Sequence, residues 1–261
     1  MITCLTFDDI SPRFLNNSLF RRLTDVTDAL DVRSTFFIVP ADLESGTRTA
    51  FTSLLKNAAR SGHEPAMHGV AHGRNEFGIL HPLPLPLPYP PLRHNIERLR
   101  RAKETFRTIL DVEAVGFRAP HYMYNTNTLA ALSELGFLYD SSATVFRPAH
   151  LSRFRFRWLG HRPRRYRSVL RIPVTGDYLY RLRTSGFLRA LDTALRDFAA
   201  AEAAGAVFVV NNHPQFFRED EFHFLRTLVE RLRGRTTFLS LKDAALHFLN
   251  NPETAGPAPR T

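Results

Sequence analysis

Short apolar runs alternate along this chain with amphipathic stretches of about ten residues or more, and no other feature constrains the fold as much. Strands are predicted at 2–7, 34–39, 64–67, 114–117, 137–139, 169–174, 207–210 and 236–239, where Val, Ile, Phe and Thr concentrate. Helices are predicted near 15–30, 49–61, 93–110, 126–135, 186–204, 219–233 and 240–249. Parallel strands need a long crossover, so strand–helix alternation implies βαβ units and a mainly parallel sheet. About eight strands in 261 residues favour an α/β barrel of seven to eight strands, irregular or incompletely closed, over an open doubly wound sheet. No Gly-rich loop follows the first strand, which also argues against a dinucleotide fold. No linker or repeat interrupts the pattern, so one domain is expected over 1–250, with a flexible tail at 251–261.

In a parallel barrel the C-terminal ends of all strands meet at one face, where catalysis is usually found. Four sets of polar residues sit at such ends. "TFDDIS" ends the first strand with Asp8 and Asp9, which taken alone suit a turn or helix cap as well as a site. "HEPAMHGVAH" places His68 and His72 four apart after the third strand. "FRAPHY" places Arg118 and His121 after the fourth, and "VFVVNNHPQ" places His213 after a late apolar strand. A lone histidine is usually structural, but four sets at the same end of four strands predict one shared pocket. Two imidazoles and one carboxylate suit zinc or a similar divalent metal and leave a coordination position open. One of the two aspartates then serves the metal, and the other is free to act as a base.

In this order, "TFDD", "HGVAH", "RAP" and "HP" resemble the polysaccharide deacetylases of the NodB-homology family, carbohydrate esterase family 4. The resemblance runs from residue 2 to about 215, and "GFLYDSS" has the same style. It implies a distorted (β/α) barrel and metal-dependent removal of acetyl groups from sugars. Asp8 then resembles the catalytic base and Arg118 the arginine that holds it. Asp9, His68 and His72 resemble the metal triad, with Zn2+ as the expected ion, and His213 resembles the general acid. The family's aspartate partner of that histidine falls on Asp177, with Asp140 as the alternative. The chain departs from the family at Ile10, where glycine is common, and at His121 and Tyr122, where an aromatic and a glycine are common. A bulkier rim argues for a substrate other than long wall polymers.

The net charge of +10 comes mostly from arginine, nine of them in "RPAHLSRFRFRWLGHRPRRYRSVLR", residues 147–171. That segment reads as a nucleic-acid surface, a phosphate or anionic-membrane contact, or a solvated face. Arg164, Arg165 and Arg167 are the candidates for phosphate. The expected substrate is an acylated amino sugar on a nucleotide or polyprenyl carrier, an intermediate of surface-polysaccharide or O-antigen synthesis. Peripheral membrane contact is part of that expectation and nucleic acid is not. No secretory pattern precedes the first strand and no apolar run is long enough to span a membrane, so the expected location is the cytoplasm, at the inner membrane surface. The rival readings are a deformylase or small-amide hydrolase with the same site, and a non-catalytic sugar- or nucleic-acid-binding barrel. Cys4, the only cysteine, excludes an internal disulfide and reads as a small core residue. "HPLPLPLPYPP", residues 81–91, reads as a stiff polyproline-like connection beside the histidine pair, either surface loop or cleft wall.

Overall fold

The computed structural model describes residues 1–44, 49–74, 76–78, 90–146 and 160–251. The Pro-Leu stretch at 79–89, the first half of the arginine segment and the tail from 252 lie outside the described residues. The elements are β1 (Ile2–Ile10), α1 (Asn17–Ala29), β2 (Thr35–Ile38), α2 (Thr49–Arg60), β3 (Glu64–His68), α3 (Leu92–Leu110), β4 (Gly116–Arg118), α4 (Thr126–Glu134) and β5 (Tyr139–Asp140). There follow β6 (Arg164–Tyr166), β7 (Val169–Arg171), β8 (Gly176–Asp177), α5 (Leu179–Ser185), α6 (Phe187–Ala203), β9 (Val207–Asn212), α7 (Glu219–Leu232), β10 (Thr237–Phe238) and α8 (Leu241–Asn250).

The sheet is mainly parallel and curls in the order β6-β7-β5-β4-β3-β2-β1-β9-β8, with β10 against the start of β1. This is the distorted (β/α) barrel that the alternation and the resemblance predict. The run predicted as one strand at 169–174 shows how the ring closes. Leu170 and Ile172 donate backbone hydrogen bonds to Leu138 and Asp140, and Val174 donates to Ala143. At the next residue the same segment has changed partners: Thr175 donates to Val209, and Gly176 and Asp177 pair with Val210 and Asn211. One segment therefore joins the two ends of the sheet.

Side-chain alternation sorts the core. Ile2 and Cys4 of β1 and Val207 and Val209 of β9 belong to an inner cluster, which Leu241, Ala244, Ala245 and Phe248 of α8 close from one end. Leu5, Phe7, Phe208 and Val210 point outward into the larger cluster beneath the surrounding helices. With both faces covered, β1 is buried along its whole length, and its sequence is accordingly near-continuous in apolar residues. Fully buried Cys4 is a core residue, as expected. Side-chain caps at Asn16 and Asn125 start α1 and α4 and fix where those helices leave the strands. The inward phase of β1 and β9 carries past the apolar layer to Thr6, Asp8 and Asn211, so the barrel's upper end is lined with polar groups.

Candidate active site

Asp8 lies in phase with Ile2, Cys4 and Thr6 and points into the barrel. In a regular strand its neighbour Asp9 would point out. Asp9 instead has φ 60°, and the pairing of β1 with β2 slips between Phe7 and Ile10, so a bulge turns the second acid back toward the same cavity. The irregularity falls on Asp9, whereas Ile10 stays a buried strand residue paired with Ile38. Among the described residues, four of the seven non-glycine residues in the left-handed region, Asp9, His72, His121 and Tyr122, sit at this one site. Backbone strain of this kind persists where the surroundings impose it, and it clusters at functional sites.

Arg118 is wholly buried and organises the floor. Its Nη1 donates to Asp8 Oδ1 at 2.7 Å, Asn211 Oδ1 at 2.7 Å and Thr6 Oγ1 at 2.9 Å. Nε and Nη2 donate to the carbonyl and hydroxyl of Ser141, and the guanidinium lies 4.0 Å over the Phe37 ring. Asn211 Nδ2 donates to Asp8 Oδ2 at 2.8 Å and to the Tyr122 hydroxyl at 2.6 Å. Burial raises the Asp8 carboxyl, but Arg118, with His68 and His213, outweighs it and holds the group below the ordinary carboxylate value.

Asp9 Oδ1 lies 3.2 Å from His68 Nε2 and 2.7 Å from His72 Nε2, and these three ligand atoms lie within 4.8 Å of one another. The oxygen is buried, yet neither contact has hydrogen-bond alignment. His68 Nδ1 faces the Arg118 carbonyl at 3.1 Å, so the ring proton belongs there and the Nε2 lone pair is left for the cluster. Converging lone pairs around an orphaned buried oxygen are what a divalent cation would satisfy, and the donor set fits zinc. Gln215 Nε2 donates to Asp9 Oδ2 at 2.5 Å, which leaves Oδ1 for that cluster. Burial opposes ionisation of Asp9, but the imidazoles of His68 and His72 close beside its carboxylate outweigh it and hold the group well below the carboxylate range. Glu76 braces the loop between the histidines: Val70 and Ala71 N–H groups donate to its carboxylate, which also pairs with Arg98 at 2.8 Å.

Across the cavity, His213 Nδ1 lies 3.0 Å from Asp177 Oδ2. Asp140 does not reach it; that carboxylate accepts from the backbone and hydroxyl of Ser142 and lies 3.8 Å from Arg171. Burial lowers the His213 imidazolium, but the Asp177 charge and hydrogen bond, then the charges of Asp9 and Asp8, push it up to about 9. These groups share a cavity of about 480 Å³ with His121 and Tyr122, and α5 adds Tyr180, Arg181, Thr184 and Ser185 to its wall. Arg164, Arg165 and Arg167 are not on that wall. They lie on β6 and the turn into β7: Arg164 pairs with Arg171, the last residue of β7, whereas Arg167 stands two residues before β7 begins, at the end of the barrel opposite the site.

The sequence profile of polysaccharide deacetylases matches residues 2–139, just over half of the chain. The chain belongs to the polysaccharide deacetylase family. Solved structures agree in fold. A putative polysaccharide deacetylase from Mycobacterium smegmatis is 20% identical with a TM-score of 0.73, covering 100% of this chain and 93% of its own. A family 4 acetyl xylan esterase from Clostridium thermocellum, in complex with a cobalt ion, is 15% identical with a TM-score of 0.57, covering 99% and 98%. A pseudoenzyme of the same esterase family from Bacillus anthracis is 12% identical with a TM-score of 0.58, covering 92% and 63%. No curated protein matches the chain significantly. Among the described residues of this deacetylase-family chain, no helix is long and apolar enough to cross a membrane.

Two residues of the candidate site escaped the sequence reading. Asn211 and Gln215 hold the two aspartates from the other side of the barrel, and both stand in "VFVVNNHPQ". Their signal was a polar amide in the inward phase of an otherwise apolar strand. Helix α5 was missed as well, because seven residues are too few to show a period.

Proposed function

We propose that this chain is a metal-dependent deacetylase that hydrolyses the N-acyl group of an amino sugar, an intermediate of surface-polysaccharide synthesis. The observation that carries the reading is an ionised, clamped Asp8 beside the convergent Asp9–His68–His72 cluster, facing a cationic His213 across one cavity. Asp9, His68 and His72 would hold the ion, which when bound supplies Lewis-acid polarisation of the acyl carbonyl and lowers the pKa of water. Asp8, held by Arg118 and Asn211, takes the proton of the water that attacks the carbonyl carbon. His213, kept protonated by Asp177, gives its proton to the sugar nitrogen as the carbon–nitrogen bond breaks. The products are the free amine and a carboxylate. A cavity of about 480 Å³ is of the size that encloses a small ligand and suits a sugar unit on its carrier.

With zinc supplied, the protein should release acetate from at least one member of a panel of N-acylated amino sugars, free, nucleotide-linked and lipid-linked. A chelator should stop the release, and the His68→Ala/His72→Ala variant should bind no stoichiometric metal while keeping its folded circular-dichroism spectrum. Absence of acyl release across the zinc-replete panel rejects this function.

The His213 assignment adds a pH signature. A general acid works only while protonated, so kcat/KM should show an alkaline limb where the His213 imidazolium, supported by Asp177, deprotonates. Asp177→Asn removes the charge that supports this cation, and the limb should move down by about one unit or more. A limb that stays in place in the variant would rule out the His213–Asp177 pair as the acid.

A further inference from the structure

A second, smaller cavity of about 270 Å³ adjoins the proposed active site and shares Arg181 and Ser185 with it. The rest of its lining comes from α6: Arg189, Thr193 and Arg196 recur at spacings of four and three, and Asp192 adds a carboxylate beside them. Three guanidinium groups thus surround a space continuous with the place where the sugar would sit. Their pairing differs. Arg196 lies 3.2 Å from Asp192 and is neutralised within its own helix. The guanidinium groups of Arg181 and Arg189 make no hydrogen bond or ion pair among the described residues, although Arg181 feels the charge of Asp197. Two free guanidiniums at the mouth of a catalytic cavity repel each other and stay strongly hydrated unless an anion meets them.

The geometry points to a phosphate subsite: Arg181 and Arg189 bind the phosphate or diphosphate through which the acylated sugar is linked to its carrier. This inference rests on the deacetylase reading and names its substrate class. A single carboxylate satisfies one guanidinium and leaves the second unpaired. A diphosphate carries charge and acceptor oxygens for both, and the guanidinium fork matches phosphate in bidentate geometry. The arrangement also replaces the expectation placed on Arg164, Arg165 and Arg167, which line neither cavity. Beyond the arginines, Tyr180 on the wall of the larger cavity and Leu188, next to Arg189 in the chain, are 66% and 79% exposed. They offer an apolar rest to whatever lies past the phosphate, a nucleobase or a prenyl chain.

Calorimetric titration of the zinc-loaded full chain tests this with two probes, N-acetylglucosamine and N-acetylglucosamine 1-phosphate. The phosphorylated sugar should bind about tenfold tighter or better, as one charge-assisted contact contributes at least that much. The ratio of the two Kd values should fall toward one in Arg181→Gln/Arg189→Gln and be retained in Arg164→Gln/Arg165→Gln/Arg167→Gln. A nucleoside diphosphate sugar and a short-chain prenyl diphosphate sugar form two further arms, and the tighter one identifies the carrier. A wild-type ratio near one, or a ratio unchanged in Arg181→Gln/Arg189→Gln, overturns the subsite. Acyl release without any phosphate preference sinks this inference and leaves the deacetylase standing. Phosphate-dependent binding without any acyl release does the reverse.

Discussion

Asp8→Asn should bind as much zinc as the wild type and lose about 10² to 10⁴ of its turnover, the usual range for removing general-base assistance. Both oxygens of Asp8 are already taken, Oδ1 by Arg118 and Oδ2 by Asn211, and the carboxylate stands outside the Asp9–His68–His72 cluster. Asparagine keeps the volume but must turn an amide N–H toward one of those donors, and it cannot accept a proton. Asp9→Asn should behave in the opposite way. Its Oδ1 is the orphaned oxygen between the two imidazoles, so its loss should weaken metal binding, and excess zinc should restore part of the rate. Elemental analysis beside steady-state kinetics separates the two. Zinc lost from Asp8→Asn but retained in Asp9→Asn would mean that the roles of the carboxylates are reversed.

That two adjacent acids can have separate duties was legible in the sequence only as chemistry, since one metal needs one of them. How both reach one cavity was not legible. The bulge at Asp9 is a property of the pairing between β1 and β2, and nothing in "TFDDIS" requires a left-handed aspartate. The fold was readable because hydrophobic alternation reports burial directly, and burial on both faces leaves continuous apolar runs such as residues 2–7. The arginine segment presents a related difficulty. Charge along the chain does not say which end of a strand it occupies, and the β6–β7 turn places Arg167 at the far end of the barrel. Arg181 and Arg189 drew no notice because they are spread over two helices that only the fold brings together. Asn211 and Gln215 do not titrate, so a search for acids, bases and metal ligands passes over them.

Arg118→Met carries the largest expected cost to stability, about 3 to 5 kcal/mol by chemical denaturation. The methionine fills much of the apolar volume against Phe37 but leaves Asp8 buried beside a vanished countercharge. It also strips a donor from Asn211, Thr6 and Ser141 at once. Removal of one member of a buried ion pair is expensive mainly because the other is stranded, so the double variant decides the cause. Arg118→Met/Asp8→Asn should recover about 1 kcal/mol or more relative to the sum of the single changes, as coupled neighbours do. Activity should not return, because the double variant still lacks the base. Additive single effects would show that Arg118 acts through the Ser141 and Asn211 contacts alone. The ion pair with Asp8 would then be incidental to the fold, and the argument that this arginine keeps the base ionised would fail with it.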